Sequence, residues 1–380
     1  MEETLKSKIL IVDDEPQIIQ YMKALLSDFG YETGALSRAE YLFQRLEVES
    51  FDLILMDLHM PGIDGLTLVK QLKGDQSSYR EIPVIMLTGE TQEQVLADCF
   101  ESGVVDFINK PIHELTLRAR IRSALDTQAH IQTVRKQNAK MKNDLRLAEI
   151  AQRSALPSLP DQSFLQITVS YLPFGNVSGD TYDIAKNQDG AINFFLGDAT
   201  GHDIAAAFIT MMVQMGLVSL PADASTNYIM SQLNLLLASR IPQDKFVTGV
   251  YLRITPQGTM SICNAGHPVS FMISANKEVG QLVKRGQPLG MLAEEKVPYV
   301  EKKFQLQPGN KILLYTDGIL EWKNEAGEEF GEDRLCEFLE ANRDLAIDQM
   351  TERLLDHVRQ FAGEIPCRDD LTLLGIQYKE

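Results

Sequence analysis

The sequence predicts a multi-domain chain: a doubly wound α/β domain with a five-stranded parallel sheet, a long helical linker, and an α+β sandwich of two sheets with helical flanks. Three observations carry that prediction. Short apolar strands alternate with amphipathic helical stretches through residue 112. The segment that follows, to Ala155, has no strand pattern. After the punctuation LPSLP at 156–160, strand-like runs dominate. The boundaries this implies are 1–125, 126–156 and 157–380.

In the first region ILIVD ends at Asp13 and is followed by a helical run from about Gln17 to Phe29. A weak strand near Tyr31 to Ala35, a helix to Val48, LILMD ending at Asp57 and a helix near Leu66 to Lys73 come next. VIMLT ending at Thr88 and FIN before Lys110 complete the set. Strands alternating with helices give a parallel sheet. The active crevice of such a sheet lies beyond the carboxyl ends of its strands, where Asp13, Asp57, Thr88 and Lys110 all fall.

From Pro111 to Ala155 the chain reads as one long helix. Ile131, Val134, Asn138, Met141, Leu145, Ala148, Gln152 and Ala155 alternate at three and four residues, the seam of a short coiled coil. Asn138 in that seam is a residue that fixes register and a two-stranded state, which predicts a homodimer through the linker helix. The competing reading is a helix packed on its own domains. Beyond it, LQITVSYL, AINFFLGD, FVTGVYLRI, TMSICNAG, VSFMIS, KILLYTD and LTLLGIQY read as strands. Helices are expected near Ile204 to Leu220, near Ala224 to Leu237 and from Asp333 through Phe361.

With 44% hydrophobic and 23% charged residues the composition is that of a water-soluble globular chain. No apolar run approaches the roughly 20 residues of a membrane span, and MEETLKSKILIVDDE lacks the pattern of a secretory or transit leader. A cytoplasmic protein is the expectation. A net charge of −17 repels polyanions, which argues against a nucleic-acid partner. The basic surplus between His113 and Ala155, nine Lys or Arg against four Asp or Glu, fits a solvated helix face. Cys99, Cys263, Cys336 and Cys367 form no CxxC pair and read as buried small hydrophobes.

Carboxylates of Asp13, Asp14 and Asp57 converging on one crevice repel each other unless a hard cation sits between them, and Mg²⁺ suits oxygen donors. Asp57 is then the candidate nucleophile for a phosphoryl group, with Lys110 as a point charge and the Thr88 hydroxyl as a donor. The stretches VDDE, LMDLHMPGIDG, MLTG and FINKP closely resemble the receiver domain of two-component response regulators over about 120 residues. The resemblance implies phosphorylation at Asp57 by a sensor histidine kinase. It also implies Mg²⁺ held by the Asp14 and Asp57 side chains and the His59 carbonyl with Asp13 assisting, a Thr88 and Phe107 switch pair, and a cis bond between Lys110 and Pro111.

In the last 220 residues or so, VSGDTYD, GDATGHD, YTDG and RDDLTLL supply Asp180, Asp198, Asp317 and Asp369 from four separated segments. One loop cannot surround two ions, so carboxylates from several segments are what a two-metal phosphate-ester site requires. Gly179, Gly197, Gly201 and Gly318 allow close backbone approach. With AQRSALP, AGHPV and GQPLG, these motifs resemble the SpoIIE-like and RsbU-like serine/threonine phosphatases of the protein phosphatase 2C superfamily over residues 148–378.

The resemblance implies two Mn²⁺ or Mg²⁺ held by Asp180, Asp198, the Ala199 carbonyl, Asp317 and Asp369, with Asp370 beside them orienting water or a ligand. His267 stands open between a site role and a structural one. Ser178, Asp203 and Asn310 depart from the family pattern, Asp203 by adding a carboxylate near the site. The function expected is a response regulator whose Asp57 controls dephosphorylation of a phosphoprotein, an anti-sigma-factor antagonist being the leading substrate. The alternative is a phosphorylation-gated, non-catalytic adaptor that binds a sigma factor or other regulator.

Overall fold

The computed structural model describes residues 6–89, 93–201, 203–292 and 298–379, with residues 93–96 described by backbone alone. It divides into two compact units, Met1–Met141 and Lys142–Glu380.

In the first unit β1 (Lys8–Val12), β2 (Glu32–Leu36), β3 (Leu53–Asp57), β4 (Val84–Thr88) and β5 (Asp106–Asn109) form one sheet in the order β2-β1-β3-β4-β5. Every pairing is parallel. Helices α1 (Pro16–Asp28), α2 (Leu42–Val48), α3 (Gly65–Lys73) and α4 (Glu93–Glu101) alternate with the strands. β3 and β4 are buried at every residue, as strands covered on both faces must be. The order reverses beside β1, so the ends of β1 and β3 open on the crevice of a doubly wound sheet.

Helix α5 (Glu114–Ala155) is continuous over 42 residues, as the absence of strand pattern predicts. The predicted seam does not run its full length as a free stripe. Ile131, Val134 and Met141 are exposed, whereas Gln152 is 5% exposed, its side-chain amide engaged by Ser178 and Thr210 of the second unit. A polar residue buried this deeply must find partners, and its partners lie in its own chain.

The second unit holds two five-stranded sheets. One contains β7 (Asp180–Lys186), β8 (Ile192–Ala199), β9 (Val247–Ile254), β10 (Thr259–Ala265) and β13 (Lys302–Gln305), in the order β13-β10-β9-β8-β7. The other contains β6 (Leu165–Leu172), β11 (Phe271–Ile273), β12 (Val279–Gln281), β14 (Lys311–Tyr315) and β15 (Leu371–Tyr378), in the order β12-β11-β14-β15-β6. All named pairings in both are antiparallel.

Alternation along the strands sets the layers. Phe194 and Leu196 meet Ile312, Leu314, Leu374 and Ile376 between the sheets. Phe195 faces the other way, onto α6 (Ile204–Ser219) and α7 (Thr226–Ala238). Leu313, Tyr315, Leu371 and Leu373 face α9 (Gly331–Ala341) and α10 (Ile347–Ala362). The result is the expected α-β-β-α sandwich.

The strands not foreseen, β7, β12 and β13, all lie at sheet edges. Edge strands need only partial burial, so they carry polar residues that conceal the alternation. The helix expected from Asp333 through Phe361 is two helices. α9 ends at Asn342, whose side-chain amide donates to the Phe338 carbonyl at 2.8 Å and satisfies one of the terminal acceptors.

Candidate functional site

At the crevice of the first unit, one carboxylate oxygen from each of Asp13, Asp14 and Asp57 lies within 4.8 Å of the others. Asp13 and Asp57 are buried and Asp14 is half-buried. Lys110 Nζ lies 2.8 Å from Asp57 Oδ1 and 3.0 Å from Asp13 Oδ2. Burial pushes the Asp57 carboxyl above its ordinary range; Lys110 opposes this, while Asp13 and Asp14 add to it. Burial also pulls on the Lys110 ammonium, but bonds and charge from Asp57 and Asp13 prevail and its pKa is raised.

Three hard oxygen donors with a net negative charge after one lysine fit a Mg²⁺ ion. Thr88 is buried at the end of β4, and Phe107 sits on β5 opposite Met86 with its ring edge-on to Phe100 at 5.7 Å. The Lys110–Pro111 peptide is cis. The His59 side chain is exposed.

In the second unit the site lies where the ends of β7 and β8 in one sheet meet the ends of β14 and β15 in the other. Asp180 and Asp198 are register partners across β7 and β8. Asp317 follows β14, and Asp369 and Asp370 precede β15. Asp180 is almost wholly buried, and its Oδ2 accepts from Thr316 Oγ1 at 2.8 Å and Thr372 Oγ1 at 2.6 Å. This leaves the remainder of its coordination capacity, chiefly Oδ1, for a cation.

Burial drives the Asp180 carboxyl well upward against those two hydroxyl bonds, with Asp370 and Asp317 adding repulsion. Asp198 is raised by burial and then by Asp180, Asp317, Asp369 and Asp370. Asp317 is raised by burial and by Asp369. The Arg285 guanidinium opposes this only in part at Asp317. Carboxylates packed together with so little compensating positive charge are a donor set for divalent metal. Among the described residues they do not close into a single cage of the receiver's tightness.

Asp370 is spoken for. Its Oδ1 accepts from the Phe174 amide and its Oδ2 from the Gly179 amide, each at 2.7 Å. It staples the loop that delivers Asp180, a use that agrees better with a positioning role than with direct metal ligation. A side chain at Gly179 would place its Cβ 2.7 Å from the Ala199 carbonyl and 3.2 Å from Asp198 Oδ1, so glycine is required there.

Three residues with a part here were present in the motifs without their roles being readable. Thr316 and Thr372 sit within YTDG and DDLTLL, and only the pairing of β14 with β15 brings both hydroxyls to Asp180. Gln152 grips Ser178 from both sides, its Nε2 donating to the Ser178 carbonyl at 2.7 Å and its Oε1 accepting from the Ser178 amide at 2.9 Å.

The departures from the family pattern are absorbed locally. Ser178 Oγ accepts from the Asp180 amide at 3.1 Å, Asp203 caps α6 by accepting from Ala206 at 2.9 Å, and Asn310 closes the turn before β14. His267 is wholly buried with its pKa pushed down to about 3 by burial, so it is neutral. Its Nδ1 shares a hydrogen bond with Thr248, the register partner of Asp198. His202, in GDATGHD, lies outside the described residues.

The fold and the two carboxylate clusters define a receiver joined to a phosphatase-type sandwich. Residues 9–122 match the family model of the response regulator receiver domain, and residues 188–379 that of Stage II sporulation protein E (SpoIIE). The chain belongs to the SpoIIE family and carries an N-terminal receiver domain. The second unit resembles the SiaA-PP2C domain of Pseudomonas aeruginosa, with 20% identity, a TM-score of 0.56, and 64% of this chain and 98% of that one covered. The RsbU and RsbW domains of Rv1364c from Mycobacterium tuberculosis align at 23% identity and a TM-score of 0.50, covering 59% and 62%.

The CAI-1 autoinducer sensor kinase/phosphatase CqsS of Vibrio cholerae is 35% identical over 104 residues, 27% of this chain and 15% of that protein. The chain spans between 15% and 58% of the length of four curated relatives that it matches. No helix among the described residues is long and apolar enough to cross a membrane.

Two outcomes follow from the geometry. Asp370→Ala removes two hydrogen bonds to a charged acceptor, each worth about 1.5–3 kcal/mol, and lowers the denaturation midpoint of the metal-free protein; an unchanged midpoint excludes the staple. Asp180 and Asp198 have raised folded pKa values, so the folded state binds more protons between the ordinary carboxylate range and those values. Stability is therefore lost as pH rises through that window. The metal-free protein gains stability on acidification toward the ordinary carboxylate range of about pH 4, and Asp198→Asn flattens the dependence measured by denaturant titration.

Proposed function

We propose that this chain is a response regulator in which phosphorylation of Asp57 controls a divalent-metal-dependent protein serine/threonine phosphatase. The observation that carries the reading is the convergence of Asp180 and Asp198 from one sheet with Asp317 and Asp369 at the strand ends of the other, each of the first three raised by burial and by neighbouring carboxylates. Asp180, Asp198, Asp317, Asp369 and the Ala199 carbonyl hold the metals, two Mn²⁺ or Mg²⁺ ions. When bound, such ions supply charge neutralisation and an activated water for in-line attack on a phosphate monoester.

The chain's own residues position the parts. Thr316 and Thr372 orient Asp180, Asp370 fixes the loop before it, and Asp317 and Asp369 face the substrate from the other sheet. In the receiver, Asp57 accepts the phosphoryl group, Asp13 and Asp14 with the His59 carbonyl hold Mg²⁺, and Lys110 and Thr88 meet the phosphate. Phe107 moves with Thr88 as the switch. The receiver domain makes a sensor kinase the donor, and membership of the SpoIIE family supports a phosphorylated anti-sigma-factor antagonist as substrate.

The helix α5 carries the signal, because its Gln152 grips the residue two before Asp180. Its exposed Ile131, Val134 and Met141 at seam spacing support a homodimer. A ligand can shift the output only through different affinity for two states, and the grip on Ser178 is a contact that two states of α5 would make differently.

Purified protein with Mn²⁺ is expected to release phosphate from p-nitrophenyl phosphate at a rate that changes with beryllofluoride, a mimic of the Asp57 phosphate. Asp369→Asn abolishes release and leaves Asp57 phosphorylation intact. Persistent turnover in that variant defeats the metal assignment. Asp57→Ala keeps the basal rate and loses the response to beryllofluoride; a response that survives breaks the coupling.

A further inference from the structure

Next to the carboxylates of the second unit lies a cavity of about 370 Å³ whose wall includes Gly318 and Asp369. Its apolar part is made by Trp322, Ile365, Pro366 and Cys367. Trp322 is the single tryptophan of the chain and is half-buried. Its indole Nε1–H donates to the Ile365 carbonyl at 3.0 Å, which ties the two loops that form the cavity. The Cys367 thiol donates to the Asp369 carbonyl at 3.3 Å, so the cavity wall and the segment carrying Asp369 are one structure.

The charges at the rim are unequal in their commitments. Lys323 is paired with Glu329 at 3.4 Å. Arg368 has no ion-pair partner among the described residues, and it adjoins Asp369 in sequence. The wall mixes the apolar Trp322, Ile365 and Pro366 with charged residues, and the volume is at the small end of the range for ligand pockets, about 300–1,000 Å³. That is room for one large side chain, not for a folded element.

From the proposed phosphatase reading, we infer that this cavity is a specificity subsite that takes an apolar side chain within two residues of the phosphorylated serine or threonine. In that reading the phosphate is seated by the cations that Asp180, Asp198, Asp317 and Asp369 would hold. An extended peptide advances about 3.3–3.6 Å per residue, so a neighbour one or two positions away reaches a cavity whose wall contains Asp369. Burying an aliphatic side chain against Trp322, Ile365 and Pro366 removes it from water, whereas a carboxylate there is desolvated beside Asp369, Glu321 and Glu325, a repulsion that Arg368 and the already paired Lys323 offset only in part. Trp322 is thus a specificity-determining residue of the phosphatase unit.

The test uses full-length protein with Mn²⁺ and phosphoserine peptides that differ only in carrying Leu or Asp at one of the two positions on either side. At one position the Leu peptide is expected to exceed the Asp peptide in kcat/KM by about tenfold or more, through KM. Trp322→Ala brings that ratio to near one, and Trp322→Phe retains most of it. Because Trp322 is the only tryptophan, its fluorescence is expected to change on titration with the Leu peptide at concentrations where the Asp peptide has no effect.

Equal kcat/KM for Leu and Asp peptides at every position, or a ratio unaltered in Trp322→Ala, overturns the subsite. Failure of the wild-type protein to turn over p-nitrophenyl phosphate overturns the phosphatase reading instead. In that case the fluorescence titration decides the cavity by itself, a response to Leu over Asp supporting it and no difference removing it.

Discussion

The second unit depends on one buried carboxylate. Asp180 comes from an edge strand of one sheet, and the hydroxyls of Thr316 and Thr372 that hold its Oδ2 come from the other. Asp370 answers in the reverse direction, accepting from Phe174 and Gly179 in the segment that leads into β7. Hydrogen bonds to a charged acceptor in a dry interior are among the stronger polar interactions, and losing one partner leaves the other unsatisfied. The sandwich is therefore latched at the place where its chemistry is proposed to occur.

That arrangement opposes stability to function. Burial and mutual repulsion push Asp180, Asp198 and Asp317 upward, so the carboxylates are unfavourable until charge arrives to offset them. Perturbed carboxylates of this kind cluster at functional sites because strong binding of a cation requires donors that water does not already satisfy. The surrounding structure supplies the compensation, with an apolar core between the sheets beyond the site and helices covering both outer faces.

The receiver handles the same conflict with a different device. Lys110 spans Asp13 and Asp57, so one fixed ammonium offsets part of the negative charge. In the proposed reading the same ammonium meets the phosphoryl group on Asp57. Helix α5 begins after this site and ends with Gln152 bonded to Ser178, two residues before Asp180. A single continuous helix therefore joins the chain segments that bear the two clusters, which gives the proposed control a covalent route.

The parallel sheet, the long helix and the interior strands of the sandwich were legible in the sequence because each has a burial pattern with its own period. The positions of Asp13, Asp57, Asp180, Asp198, Asp317 and Asp369 at or near strand ends were legible as well, since an acidic residue closing or opening an apolar run stands out locally. The edge strands β7, β12 and β13 were not, because partial burial leaves no apolar alternation to read. Tertiary structure alone decided the duties of Thr316, Thr372, Asp370 and Gln152. Their partners lie between 26 and 196 residues away in sequence, and a hydrogen bond at that separation is set by how the sheets and helix pack. Gln152 shows the difference most directly: by spacing it belongs to a coiled-coil seam, and by burial and hydrogen bonding it belongs to the loop that delivers Asp180.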